Sequence, residues 1–269
     1  MASVPRSLLF TPGSRPDRFA KAGATAAESL ILDLEDAVAE ADKDAARANV
    51  AAFLSARQGV AQDVTVRINP LSRACGLLDL AMLATAPAAP DYILLPKAET
   101  PAQIALMAQV LDDAGSPARI GALVESARGV AAAAALAQVH QRLAFLMFGA
   151  ADYAADLGQQ VETFQPDHAR AAIVNAAACG GVVAIDSPFF AIDRPAGLEA
   201  DCAAGKAVGF HGKAAIHPSQ IDPINSGYSP SEAERTRARR ILEAAPDGVG
   251  VLDGKMVDIA MVRWARSVP

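Results

Sequence analysis

LAFLMFGAADYAADLG, residues 143–158, sets the reading of the whole chain. Its first six residues are uniformly apolar, the composition of a short strand buried on both faces. Asp152 follows within a few residues, and Asp156 comes four further on. A carboxylate near the end of a core strand is costly unless something pairs with it. The stretch therefore predicts a buried strand that delivers an acid to a place where a partner waits.

The same unit recurs along the chain. Apolar runs lie at SLLF (7–10), SLILDL (29–34), VTVRI (64–68), YILLP (92–96), RIGALV (119–124), GVVAI (181–185) and VGFHGKAAI (208–216), the last broken by Gly. Between them fall helix-like segments rich in Ala and Leu, among them KDAARANVAAFLSA (43–56), AQIALMAQVLDDAG (102–115) and HARAAIVNAAACGG (168–181). The paired glycines of the last make a C-terminal stop. Strand onsets fall roughly 20 to 40 residues apart, the length of a βα unit. Eight such units predict a TIM (β/α)8 barrel over residues 1–222. A doubly wound sheet is the alternative, but no GxGxxG follows the first strand, and GVGVLDG (248–254) has Asp253 where a third Gly belongs. Residues 223–269 form a C-terminal helical extension. SPSEAERTRARRILEAA (229–245) reads as a charged amphipathic helix capped by Ser231 or Ser229, and MVDIAMVRWARSV as a last short helix.

Composition narrows the function. The 269 residues are 52% hydrophobic and carry a formal net charge of −6, which argues against nucleic acid and membrane surfaces as partners. Cys75, Cys179 and Cys202 show no metal-ligand or disulfide spacing. No stretch has the length of a signal peptide or a membrane span, so a cytoplasmic protein is expected. GxSxG, P-loop and HExxH patterns are absent.

In a barrel of this kind the site lies at the carboxyl ends of the strands. Polar residues gather there: Asp33, Glu35 and Asp36; Arg67 and Asn69; Lys97 and Glu99; Glu125, Ser126 and Arg128; Asp152; Asp186; His217. Asp186 and Glu99 read as helix caps, and any single acid admits that reading. The whole set points instead to an acidic, metal-binding mouth with interspersed cations. Carboxylates without His or Cys suit a hard cation, usually Mg2+. Glu125 and Asp152, on consecutive strand ends, are a candidate pair, with salt bridges to Arg128 or another arginine as the alternative. Arg67 is placed to grip a carboxylate bidentately or to stabilise an enolate oxygen. His140 and His168 are expected on helices in solvent; His211 and His217 are either polar wall or catalyst.

RSLLFTPGSRPDRFAKA, AESLILDLEDAV, VRINPL, LLPKAE, VESARGV, FGAADYAADLG and GKAAIHPSQI occur in this order, and the tail contributes GYSPSEAERTRARRIL and DGKMVDIAMV. Together they resemble the citrate lyase β-subunit-like proteins of the HpcH/HpaI aldolase and citrate lyase superfamily. The resemblance implies a (β/α)8 barrel that binds Mg2+ and performs reversible carbon–carbon chemistry on acyl-CoA thioesters. It implies Glu125 and Asp152 as metal ligands, with Glu125 also at the substrate, and Arg67 as the substrate-binding arginine. Glu35 and Asp36 would line the site and order water, and Asp258 would be a tail acid reaching a neighbouring subunit's site. A homo-oligomer, by resemblance a trimer, is implied with it. Arg15, Arg18 and Lys21 would face the CoA phosphates or solvent. Ser126 stands where many relatives have Thr, and the chain lacks the longer insertions of the malyl-CoA lyase branch. Citryl-CoA, cleaved to acetyl-CoA and oxaloacetate, is the expected substrate type. Citramalyl-CoA or malyl-CoA, the condensing direction, a CoA-free aldolase, and a lyase subunit needing acyl-carrier partners are the alternatives.

Overall fold

A computed structural model describes residues 4–57 and 61–268. The eight apolar runs all become strands: β1 (Ser7–Pro12), β2 (Ser29–Asp33), β3 (Asp63–Arg67), β4 (Tyr92–Leu95), β5 (Arg119–Val124), β6 (Leu143–Phe148), β7 (Val183–Asp186) and β8 (Gly212–Ala215). Every neighbouring pair is parallel, and β8 returns to β1, so the sheet closes into a barrel. The helices on this ring are α1 (Phe19–Gly23), α2 (Lys43–Ala56), α3 (Ala74–Ala84), α4 (Pro101–Asp113), α5 (Ala127–Ala137), α6 (Ala150–Asp156), α7 (Asp167–Gly180), α8 (Pro195–Val208) and α9 (Ile221–Tyr228). The expected TIM barrel is the observed fold. The eighth strand is shorter than its apolar run, because α8 runs to Val208 and the chain must turn at Gly209 before pairing.

Alternation along the strands sorts the core into two layers. Leu8, Ile31, Leu94, Leu123, Phe145, Met147, Ile185 and Ala214 form one cluster made almost wholly of strand residues, which is the barrel interior. Leu9, Leu30, Leu32, Val64, Leu146 and their neighbours pack with helical residues such as Val50, Leu83, Met107 and Ile173 in the outer layer. Buried on both faces, the strands read as continuous apolar runs, which is why they were legible in sequence.

The chain divides after Tyr228, since α9 packs on α8 and belongs to the barrel; the expected boundary at 222/223 falls inside α9. The second unit, Ser229–Pro269, holds α10 (Glu232–Ala244), β9 (Gly250–Leu252), β10 (Lys255–Val257) and α11 (Ile259–Ser267). Ser231 caps α10 in a reciprocal box with Glu234. The Gly-rich connection is a β-hairpin, turned at Asp253 and Gly254 with φ of 51° and 74°. Ala238, Ile241, Val257 and Val262 form this unit's own small core. Among the described residues, no helix is long and apolar enough to cross a membrane.

Candidate active site

Strand register assembles the site. Asp33 and Arg67 are direct partners across β2 and β3, so their side chains leave the barrel side by side. Arg67 Nε donates to Asp33 Oδ1 at 2.7 Å and Nη2 to Oδ2 at 2.6 Å. The bidentate grip that the sequence reserves for a substrate is thus made on Asp33, a residue the sequence places at the mouth without a role. Arg67 Nη1 faces Glu35 Oε2 at 2.9 Å and Asp36 Oδ2 at 3.9 Å. Its guanidinium lies 5.0 Å from the Phe10 ring centroid. Burial opposes its charge, but Asp33, Glu35 and Glu125 outweigh burial and raise its pKa further.

Lys97 joins the next two acids. Its backbone N–H donates to Glu125 Oε1 at 2.8 Å, and its Nζ donates to Glu35 Oε1 at 3.1 Å. Lys97 holds a φ of 48°, a left-handed backbone rare outside glycine and the kind of strain that gathers at functional sites. Burial is the main cause of a raised pKa at Glu35, with Arg67 and Lys97 opposing it.

Glu125 follows β5, and Gly149 begins the turn into α6 beside it. A Cβ on Gly149 would come 2.5 Å from Glu125 Cβ and 2.8 Å from its Oε2, so glycine leaves the room that Glu125 occupies. Glu125 is 3% exposed. Among the described residues neither it nor Asp152 is ion-paired, and Arg128 instead faces Glu99 at 3.7 Å. Burial first, then the charges of Glu35 and Asp152, push Glu125 up to about 8. Asp152 sits half-buried in the first turn of α6. Glu125, Asp152, Asp36 and Arg67 line one cleft of about 340 Å³ at the barrel mouth. An adjoining cleft of about 610 Å³ is lined by Arg15, Arg18, Lys21 and His217, and shares Phe10 and Ile216 with the first.

Several other residues take roles the sequence did not assign. Asp156 Oδ2 accepts the Ala127 N–H at 2.7 Å and so satisfies the start of α5. Glu99 accepts from the Ser126 hydroxyl at 2.7 Å. Asp186 is no helix cap: fully buried, it accepts from Arg170 Nη2 and Lys213 Nζ, both at 2.8 Å, in a network that includes Asp201. Both cations come from segments that pattern reading treats as ordinary helix and strand. His140 is half-buried beyond the end of α5, its Nδ1 accepting the Arg142 N–H, whereas His168 is exposed on α7 as expected. His211 Nε2 bonds the Val4 carbonyl oxygen, and His217 Nδ1 accepts the Ser219 N–H. Asp258 caps α11, accepting the N–H groups of Ala260 and Met261 at 3.0 Å each.

A model of the HpcH/HpaI aldolase/citrate lyase family matches residues 6–218. The chain belongs to that family. Within it, a citrate lyase subunit beta-like protein of Deinococcus radiodurans is 34% identical, over 98% of this chain and 95% of the relative. An L-malyl-CoA/beta-methylmalyl-CoA lyase of Cereibacter sphaeroides is also 34% identical, over 98% of this chain and 93% of the relative. The crystal structure of CitE from Mycobacterium tuberculosis, in complex with magnesium, acetoacetate and coenzyme A, superposes with a TM-score of 0.81. It shares 35% identity and covers 99% of this chain and 97% of that one.

The residues of this family member fit Mg2+. Among the described residues no group of three or more His, Cys, Asp or Glu is set to hold an ion, so a closed all-protein cage is not what the mouth offers. It offers two carboxylates on one cleft, Glu125 and Asp152, the former buried and, among the described residues, without an ion-pair partner. Mg2+ commonly takes one or two carboxylates and leaves its other positions to water and substrate oxygens.

Proposed function

We propose that the protein is a Mg2+-dependent carbon–carbon lyase acting on 3-carboxy-3-hydroxyacyl-CoA thioesters, of which citryl-CoA is one. The products are acetyl-CoA and a 2-oxo acid. The observation that carries this reading is Glu125: a buried carboxylate that, among the described residues, has no ion-pair partner, beside Asp152 in a cleft that also holds a fixed guanidinium.

Glu125 and Asp152 would hold Mg2+, which when bound supplies the Lewis acidity that eases proton loss from the substrate hydroxyl. Arg67, anchored by Asp33, keeps N–H groups for the thioester oxygen, where negative charge gathers as the Cα–Cβ bond breaks. Glu35 and Asp36 line the site around Arg67 and order water. Lys97 sets Glu125 through its backbone and Glu35 through its side chain. Asp258, from the tail of a neighbouring copy, delivers a proton to the acetyl-CoA carbon. That role calls for a homo-oligomer, a trimer by family resemblance. Arg15, Arg18 and Lys21, at the adjoining cleft, suit the CoA phosphates. The acidic net charge fits a cytoplasmic enzyme without nucleic-acid or membrane partners.

Glu125→Gln and Asp152→Asn test the reading. Each is expected to abolish Mg2+-dependent release of 2-oxo acid while the circular dichroism spectrum stays unchanged. Full activity in both variants rejects it.

A further inference from the structure

The two carboxylates proposed to hold Mg2+ come from different βα units, so their separation is set by whatever joins those units. Glu125 follows β5, and Asp152 lies in the first turn of α6, after β6. Hydrogen bonds join the two segments on both sides of the ligands. At the strand ends the Gly149 N–H donates to the Val124 carbonyl oxygen at 3.0 Å. On the far side the Ala127 N–H donates to Asp156 Oδ2 at 2.7 Å. Glu125 lies between Val124 and Ala127 on one segment, and Asp152 lies between Gly149 and Asp156 on the other.

The remaining contacts of the two segments point in opposite directions around the barrel. Glu125 Oε1 accepts the Lys97 N–H at 2.8 Å. Ser126 Oγ caps α5 by accepting the Gly129 N–H at 3.0 Å, and donates to Glu99 Oε1 at 2.7 Å. These bonds hold the Glu125 segment toward β4. Gly149 brings no capping side chain to α6, and the Ala150 N–H donates instead to Ser187 Oγ at 3.1 Å, just past β7. That bond holds the Asp152 segment toward β7. Asp156 spans the gap between them.

Its place on α6 suits this task. Asp152 and Asp156 are four residues apart, so they share one face of a helix of seven residues. Ala127 is the first residue of α5, where an N–H has no partner within the helix and the dipole favours an anion. A carboxylate bond to such an N–H is charge-assisted and strong. Mg2+ demands near-ideal octahedral geometry, with oxygens at about 2.0–2.1 Å, so it registers small errors in ligand placement.

We infer that Asp156 is a positioning residue for the metal site: it clamps α6 to the start of α5 and so fixes the separation of Glu125 and Asp152. The role rests on those two residues holding Mg2+, as proposed above. Asp156 and Ala127 are both exposed, so the bond can be removed from either side without entering the core. Asp156→Ala removes the acceptor. Ala127→Pro removes the donor at the first helical position, where proline is well tolerated, and leaves the carboxylate in place. Asp156→Asn keeps an acceptor oxygen and loses the charge.

The test is calorimetric titration of the purified full chain with Mg2+, with Asp152→Asn as the control for the site itself. Asp156→Ala and Ala127→Pro are each expected to weaken Mg2+ binding by roughly tenfold or more. The double variant should be no weaker than either alone, because both changes break one bond. Asp156→Asn should recover most of the loss. A wild-type Kd in folded Asp156→Ala or Ala127→Pro overturns the positioning role and leaves the metal site standing. Losses that add in the double variant, or an Asp156→Asn as weak as Asp156→Ala, also overturn it, the latter by assigning the effect to charge alone. Wild-type binding in Asp152→Asn places the ion elsewhere and rejects the metal-site reading together with the clamp. If Asp156→Ala does not fold, Ala127→Pro decides the matter, since a helix cap lost for stability alone would not change its Kd.

Discussion

Asp33 and Arg67 are register partners across β2 and β3 and meet through two parallel N–H···O bonds of 2.7 and 2.6 Å. Both are buried, so the pair anchors the guanidinium that the proposed mechanism uses. Neutralising Asp33 takes from the buried Arg67 its bidentate partner and leaves it Glu35. Asp33→Asn is expected to destabilise the protein by about 1–3 kcal/mol in urea unfolding and to lower kcat/KM as Arg67 loses its anchor. Arg67→Lys keeps the charge but not the fork, so it should lose more in kcat/KM than in stability.

Mg2+ that binds the folded chain through Glu125 and Asp152 should stabilise it by mass action. At about one hundred times Kd the gain is about 2.7 kcal/mol, read as a rise in Tm. Glu125→Gln and Asp152→Asn should each remove that rise. In metal-free buffer Glu125→Gln should not lower Tm, because the native carboxyl group is buried with no ion-pair partner among the described residues. Equal Mg2+ stabilisation in wild type and both variants would place the ion elsewhere.

Asp201 makes a prediction about acid. Burial pushes its pKa up, but Lys213 and Arg170 outweigh burial and hold it below its ordinary value of 3.8. The folded state therefore binds a proton less readily than the unfolded chain. The resulting stabilisation is fully present above the unfolded value and is lost as pH falls through the lower folded one. Asp201→Asn should flatten the acid limb of stability against pH, measured by urea unfolding below about pH 5. An acid limb as steep as that of the wild type would show that the network does not hold Asp201 ionised.

Asp258 has a local duty at the start of α11, and the substitution has to separate it from chemistry. Asp258→Ser retains a capping oxygen and removes the carboxylate. The expected outcome is an unchanged Tm with kcat down by roughly 10²–10⁴-fold, the range for a lost general acid or base. Unchanged kcat would leave Asp258 as a helix cap only.

The fold was legible because strands buried on both faces are continuous apolar runs, and eight of them are separated by helix-length segments. Glu125, Asp152, Arg67, Glu35 and Asp36 were legible as strand-end polar residues, and the structure gathers them at one mouth. Asp33 was visible at the same mouth, but its role was not, since it depends on the β2–β3 register rather than on neighbours in sequence. The left-handed backbone of Lys97 had no signal, because nothing about a lysine announces a φ of 48°. Asp186 resembled a cap until Lys213 and Arg170, far from it in sequence, arrived as its partners. The tail hairpin hid in a glycine-rich stretch whose strands span three residues each.

A Glu125–Asp152 metal site that cleaves a carbon–carbon bond in a CoA thioester is tested most directly by product analysis, by mass spectrometry, of the purified chain acting on 3-carboxy-3-hydroxyacyl-CoA esters with Mg2+ and with EDTA. Acetyl-CoA and 2-oxo acid are expected in equal amounts, only with Mg2+, and neither product from Glu125→Gln or Asp152→Asn. Free CoA with the intact hydroxy acid, or cleavage that persists in EDTA, would contradict it.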